Sequence, residues 1–166
     1  IVHVTNLNDR GPGSFPDAVT GGSSKVTRIV VFDVSGECVM PKVQYDTRDN
    51  VTITRDNLWI AGQTAPDPGD GTGRGFTFRG RLKLRCETAV VEHIRIRPIS
   101  GTVDPNGAND EDGRGLLITP NRNINGNGFK GPWAVRNVSI QWSQDVIGAA
   151  VSLNASHPDR QILDNC

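Results

Sequence analysis

Short apolar runs separated by turn residues dominate the chain. The runs are rich in Val, Ile and Leu, alternate with polar positions over a few residues, and end at Gly, Pro, Asn or Asp. This pattern predicts short β-strands joined by turns and few long helices. The predicted strands cover residues 1–5, 28–34, 51–54, 58–61, 75–78, 82–84, 90–96, 116–119, 134–142, 150–153 and 162–163.

One short helix is predicted near the beginning of the chain. Ser14 is a suitable N-cap residue, and Pro16 and Asp17 follow it in what would be the first turn. Proline and an acidic residue are both favoured at these positions, because they suit the free N–H groups and the positive end of the helix dipole.

A local phrase recurs along the chain. A polar turn residue stands immediately before an apolar strand residue at Asn57, His93, Asn137 and Asn165. If successive coils stack at about 4.8 Å per layer, these phrases lie above one another and their side chains can bond along the stack. The pattern therefore favours a parallel solenoid, with a β-sandwich as the alternative.

Charge and composition exclude several classes of partner. Lys plus Arg and Asp plus Glu number 18 each, so no long-range field favours nucleic acid or an anionic membrane. An anionic polymer would need a local positive site or a bridging cation. No apolar stretch is long enough to predict a membrane span, and the three cysteines lack the spacing of a zinc site.

Several phrases resemble the pectate lyase family. The segment from Val4 to Val19 reads VTNLNDRGPGSFPDAV and is similar to the opening of one branch of that family. Further similar phrases follow in the family's order. They are IVVFDVSG from Ile29, LWIAGQTAP from Leu58, HIRIRP from His93 and VSIQWSQD from Val138.

The resemblance implies a fold and a setting. It implies an all-β protein, a right-handed single-stranded parallel β-helix whose N-terminal end is covered by a short helix. Residues 1–166 would form one domain that is incomplete at its C-terminal end, because the family's chains are longer. It also implies a secreted protein that meets an acidic polysaccharide, with possible stacking onto further coils or copies.

The expected chemistry is β-elimination of a uronate polymer. That reaction needs a base for the proton next to the carboxylate and a cation to stabilise the developing enolate, a role that Ca²⁺ fills in the family. Residues 104–112 carry six oxygen-bearing side chains in nine positions, which makes Asp110 and Asp112 candidate metal ligands; a solvated acidic loop is the alternative. Asp145 matches a further acidic ligand region of the family.

One position departs from the family pattern. The family's D-G-D phrase corresponds to Asp112-Gly113-Arg114 here, so Arg114 replaces the second carboxylate. A guanidinium repels a metal ion but can hold a uronate carboxylate directly, so Arg114 is predicted to bind substrate. Calcium dependence is therefore a prediction to be tested.

Other candidate residues are less specific. Arg95 and Arg97 alternate with apolar positions, so both would point outward. They could line a groove that binds an anionic ligand, or they could form a solvated face. Trp59, Trp133 and Trp142 could stack on sugar rings or pack in the core and loops, and for Trp59 a core position is predicted. No residue matches the family's catalytic arginine phrase, so no catalytic base is assigned.

Two functions compete. The first is a pectate lyase-like enzyme, and the second is a non-catalytic β-helix that binds polysaccharide or stacks with copies of itself.

Three tripeptides, starting at Asn50, Asn137 and Asn154, are formal N-glycosylation acceptors, so a glycoprotein is a further prediction.

Overall fold

The structure is a computed structural model that describes residues 1–41, 50–67, 69, 75–86, 88–98, 114–118, 133–141, 145–149 and 161–166. Within these ranges there are fourteen strands and one α-helix. The helix is α1 (Phe15–Thr20), and a 3₁₀ turn follows later at Gly62–Thr64. The strands are β1 (Val2–Val4), β2 (Arg28–Phe32), β3 (Gly36–Val39), β4 (Asn50–Ile53), β5 (Leu58–Ala61), β6 (Phe76–Arg79), β7 (Arg81–Leu84), β8 (Ala89–Glu92), β9 (Arg95–Ile96), β10 (Arg114–Ile118), β11 (Trp133–Arg136), β12 (Ser139–Ile140), β13 (Asp145–Ala149) and β14 (Gln161–Asp164).

The strands form three sheets. Sheet A has the order β1-β2-β5-β8-β11-β14, sheet B the order β12-β9-β6-β3, and sheet C the order β13-β10-β7-β4. Every pairing among the described strands is parallel. From β2 onward the chain visits A, B and C in turn, and one such passage is called a coil here. The predicted parallel, mostly β architecture is confirmed.

The core lies between the three sheets. In the strands whose side chains are described, alternate residues point inward, so Val, Ile, Leu and Phe side chains from successive coils lie in layers. Helix α1 adds Phe15 to this core. Its ring lies 5.0 Å from that of Phe76, 5.1 Å from Phe78 and 6.0 Å from Phe32. The helix thus buries apolar surface that the first coils would expose.

The predicted helix start is confirmed. Ser14 is the N-cap, and its Oγ accepts a hydrogen bond of 3.3 Å from the backbone N–H of Asp17. The connection from the helix to β2 is held by two arginines. Arg28 donates to the Ala18 carbonyl at 2.8 Å, and Arg55 donates to three further carbonyls in this connection.

Two predicted strands are each divided by a bend. The runs 90–96 and 134–142 both contain a residue with left-handed backbone, His93 at φ 54° and Asn137 at φ 51°. Each bend ends a strand of sheet A and starts one of sheet B. Strands β3 and β13 were not predicted, and the predicted strand at 150–153 lies outside the described residues.

The recurring polar phrase occupies two corners of the coil. His93 and Asn137 lie between sheets A and B, and Asn165 follows β14 of sheet A. Asn57 instead lies between sheets C and A, where its side chain accepts a 3.3 Å hydrogen bond from Thr88 Oγ1. The predicted equivalence of Asn57 with the other three was therefore wrong, because its partner in the next coil is Thr88.

Among the described residues, no helix is long and apolar enough to cross a membrane.

Candidate functional site

Arg114 and Asp145 begin neighbouring strands of sheet C. They are paired residues of β10 and β13 in parallel register, so their Cα atoms stand one layer, about 4.8 Å, apart. Arg114, the predicted substrate-binding residue, and Asp145, a predicted metal ligand, thus share one edge of this sheet. Asp110 and Asp112, the other predicted ligands, lie outside the described residues.

A metal site is not formed by the described part of the chain alone. There, no group of three or more His, Cys, Asp or Glu side chains is placed to hold a metal ion. The described edge of sheet C holds Arg114, which replaces the second carboxylate of the family's D-G-D phrase, and Asp145, which matches a further ligand region. One arginine and one aspartate by themselves fall short of the roughly six to eight oxygen ligands that a calcium ion takes.

Arg95 lies in strand β9 of sheet B and Arg97 directly follows that strand, so neither residue lies in sheet C. Arg95 is paired with Thr77 on one side and Ser139 on the other. Arg97 donates from Nη1 to the Ser139 carbonyl at 2.7 Å and from Nη2 to Ser139 Oγ at 3.0 Å. Burial and the neighbouring Arg95 charge lower the pKa of Arg97. Arg97 thus joins two coils, a role that the sequence pattern did not indicate.

The corner between sheets A and B carries a ladder of polar side chains. Asn165 Nδ2 donates to Asn137 Oδ1 at 2.6 Å, and Asn137 Nδ2 lies 3.2 Å from His93 Nε2. The Asn137 side-chain oxygen already accepts a bond from Asn165. The Asn137 NH₂ group therefore donates to Nε2 of His93, which accepts as a ring nitrogen without a hydrogen. The prediction that His93 belongs to a polar stack is confirmed.

Sheet A carries a second polar cluster on its outer surface. Trp59 Nε1 donates to Glu92 Oε2 at 2.8 Å, and Arg136 Nη1 lies 3.3 Å from Glu92 Oε1. Trp59 is 38% exposed, so its predicted core position was wrong. Its neighbours Leu58 and Ile60 point inward, and strand alternation therefore turns Trp59 outward.

A cleft of about 390 Å³ runs along the corner between sheets A and B. It crosses three successive coils, from the 3₁₀ turn through the β8–β9 bend to the β11–β12 bend. Its polar lining comes from Gln63, His93, Arg95, Asn137 and Ser139. Sequence reasoning missed this cleft, because it depends on which bends lie above one another.

Comparison with curated proteins finds fungal relatives that carry one name, "Probable pectate lyase C". The relative from Aspergillus flavus is 32% identical over 145 residues, which is 86% of this chain and 26% of the relative. The one from Aspergillus fumigatus is 35% identical over the same shares. The one from Aspergillus terreus is 40% identical over 97 residues, 57% of this chain and 19% of the relative.

The chain belongs to the pectate lyase family. It spans about a quarter of the length of the curated relatives that it matches. No protein-family model matches it, and neither does any solved structure.

Proposed function

We propose that this chain contributes to a pectate lyase-like enzyme that cleaves polygalacturonate or a related uronate polymer by β-elimination. The observation that carries the proposal is the similarity to proteins named pectate lyase over 86% of the chain. The similarity favours an enzyme over a non-catalytic β-helix. We also propose that the three parallel sheets form the right-handed β-helix of the family.

The fold proposal rests on the order of the strands. The chain passes through sheets A, B and C in the same sequence in each coil, with parallel pairing throughout the described strands. Parallel crossover connections are right-handed in nearly all proteins. The ladder of His93, Asn137 and Asn165 adds side-chain bonds along the same axis.

The substrate proposal places an acidic polysaccharide at the edge of sheet C. Arg114 would hold a uronate carboxylate, where its delocalised charge would stabilise the negative charge that develops next to it. Asp145 stands one coil away and would contribute to a cation site. Asp110 and Asp112 remain predicted ligands of Ca²⁺, and the catalytic base is unassigned.

The fungal relatives support the proposal that this protein is secreted. A secreted protein would meet plant cell-wall polysaccharide directly. Among the formal glycosylation sites, Asn137 is poorly suited to carry a glycan, because its side-chain nitrogen is used in the ladder.

The test is an assay of the unsaturated uronate that β-elimination produces. Polygalacturonate is incubated with the 166-residue chain in calcium, in EDTA and in buffer alone, and ultraviolet absorbance is followed. Arg114→Ala is expected to reduce the rate about tenfold or more, since it removes a charge-assisted contact worth roughly 1.5–3 kcal/mol. Arg10→Gln is the control, because Arg10 pairs with Asp9 in the N-terminal turn.

Each arm has a defined reading. A product signal that is lost with Arg114→Ala and kept with Arg10→Gln supports the proposed role of Arg114. Equal rates in calcium and EDTA would remove calcium from the proposal. If polygalacturonate yields no unsaturated product under any condition, the chain by itself does not catalyse the reaction.

A further inference from the structure

The outer face of sheet B is organised in rows that cross its four strands. Parallel register places Glu37 of β3 opposite Thr77 of β6, Thr77 opposite Arg95 of β9, and Arg95 opposite Ser139 of β12. The residues that follow each of these along the strands point into the core. The four residues therefore form one row at about 4.8 Å per step. Glu37, Arg95 and Ser139 are at least partly exposed, whereas Thr77 between Glu37 and Arg95 is buried.

A second row lies two residues further along the strands. It contains Arg79 in β6 and Arg97 just after β9, because side chains at i and i+2 share a face. Arg79 Nη1 lies 3.5 Å from Glu37 Oε2, and both side chains are partly exposed. Arg97 is held against Ser139, which fixes its guanidinium at the surface of the next coil.

The two rows give this face a positive charge. Its described residues include three guanidiniums, those of Arg79, Arg95 and Arg97, and a single carboxylate, that of Glu37. The chain as a whole has equal numbers of acidic and basic residues. The positive charge is thus a local feature, and a chain of zero net charge needs such a feature to bind a polyanion.

The cleft between sheets A and B opens onto the same rows. Arg95 and Ser139 belong both to the first row and to the lining of the cleft, and His93, Asn137 and Gln63 add hydrogen-bonding groups to it. A positive face bordered by a polar cleft suits an extended ligand with repeated charges and hydroxyl groups.

From this arrangement we infer that the outer face of sheet B is a binding surface for an acidic polysaccharide, separate from the edge of sheet C. Arginine guanidinium groups can form bidentate hydrogen bonds with carboxylates, and the cleft offers hydrogen-bond partners for sugar hydroxyls. The polymer would lie across the coils and add affinity for substrate away from the site of cleavage. The choice of a uronate polymer rests on the proposed function; the charge pattern does not.

Two substitutions are expected to change the affinity for polygalacturonate in opposite directions. Binding of polygalacturonate by the 166-residue chain is measured in EDTA and low salt by isothermal titration calorimetry. Arg95→Gln removes a positive charge and is expected to weaken binding about twofold to fivefold, the range of exposed charge pairs. Glu37→Gln removes the carboxylate and is expected to strengthen binding by a similar factor. Arg10→Gln, distant in sequence and paired with Asp9, is expected to change nothing.

Competitors identify the ligand class. Fully methyl-esterified pectin, which has no free carboxylates, is expected to bind several-fold more weakly than polygalacturonate. Unchanged affinity in both Arg95→Gln and Glu37→Gln would overturn the inference, as would equal binding of the esterified polymer. Single-stranded nucleic acid that competes as well as polygalacturonate would overturn the assignment to a polysaccharide.

The inference and the proposed function can fail separately. Opposite shifts in affinity without unsaturated product would keep the binding surface and remove catalysis by this chain. Product formation with affinity unchanged in both variants would keep catalysis by this chain and remove the binding surface.

Discussion

Asn137 donates its side-chain N–H to Nε2 of His93, 3.2 Å away in the preceding coil, while its own oxygen accepts from Asn165 in the following one. The same residue has φ 51°, a left-handed conformation that asparagine tolerates better than most residues. Asn137 therefore serves two purposes, since it turns the chain from sheet A to sheet B and bonds coils on both sides.

These two contributions can be separated by substitution of Asn137. Asn137→Gly keeps the backbone conformation and loses the ladder bonds, at an expected cost of about 1–2 kcal/mol in the free energy of unfolding. Asn137→Ala loses both and is expected to cost roughly 1 kcal/mol more. Urea unfolding followed by circular dichroism measures both values. Gln141→Ala, at an exposed position nearby, is the control. Equal stability of the two Asn137 variants would mean that the left-handed backbone costs nothing there.

Arg55 holds the connection between helix α1 and β2 in place. Its side chain is 4% exposed and donates to the carbonyls of Gly21, Ser23 and Val26 at 2.8–2.9 Å. Arg55→Met keeps the aliphatic length and leaves three carbonyls unsatisfied, so we expect a loss of about 3 kcal/mol. Thermal unfolding measures it. Arg10→Met, at an exposed ion pair, is expected to change stability by less than about 1 kcal/mol. Equal effects of the two substitutions would contradict the role of Arg55.

Two buried thiols are predicted to make stability depend on alkaline pH. Burial, with a smaller effect of Asp9, raises the pKa of Cys38 to about 11, and burial, with a smaller effect of Asp56, raises that of Cys86 to about 12. The unfolded chain therefore ionises first, near pH 9.0. The stabilising contribution is complete below that pH and is lost as pH rises through about 11 for Cys38 and about 12 for Cys86.

Urea midpoints measured from neutral to strongly alkaline pH test this dependence. Cys38→Ala and Cys86→Ala are each expected to flatten the decline, whereas Cys166→Ser, at an exposed thiol, should follow the wild type. In the folded chain a thiol reagent should label Cys166 quickly and the other two only after unfolding. An unchanged decline in both alanine variants would assign the pH effect to other groups.

Gly62 is predicted to tolerate no side chain. A Cβ placed there would lie 2.4 Å from the His93 carbonyl oxygen and 2.5 Å from that of Glu92. Because backbone atoms cannot move aside easily, Gly62→Ala is expected to cost about 1–3 kcal/mol. Gly69→Ala is a useful comparison, since nothing lies within 4 Å of its Cβ position, although its φ of 73° adds its own strain. Chemical denaturation compares them. A smaller loss at Gly62 than at Gly69 would contradict the close contact.

Local sequence features predicted the elements whose cause is local. Ser14 followed by Asp17 predicted the helix start, and the alternation of apolar residues predicted β2, β5 and most other strands, because capping and alternation act over a few residues. Strand β3 was missed. Its four residues include one inward side chain, Cys38, and the strand is completed by pairing with β6.

The candidate sites depended more on long-range placement. The sequence predicted outward positions for Arg95 and Arg97, yet not the contact of Arg97 with Ser139, which is 42 residues away. It also grouped Asn57 with His93, because both precede an apolar strand. Loops of different length decide which bend lies above which, and that information is spread over whole coils.

The sequence by itself determined most of the strand residues, the capped helix and the membership of His93 in a polar stack, since each follows from patterns within a few positions. Only the tertiary structure decided the register of the coils. Register places Arg114 beside Asp145, brings Trp59 within hydrogen-bonding distance of Glu92 and gathers Arg79, Arg95 and Arg97 on one face. Its physical origin is the joint packing of all inward side chains, which no single segment can specify.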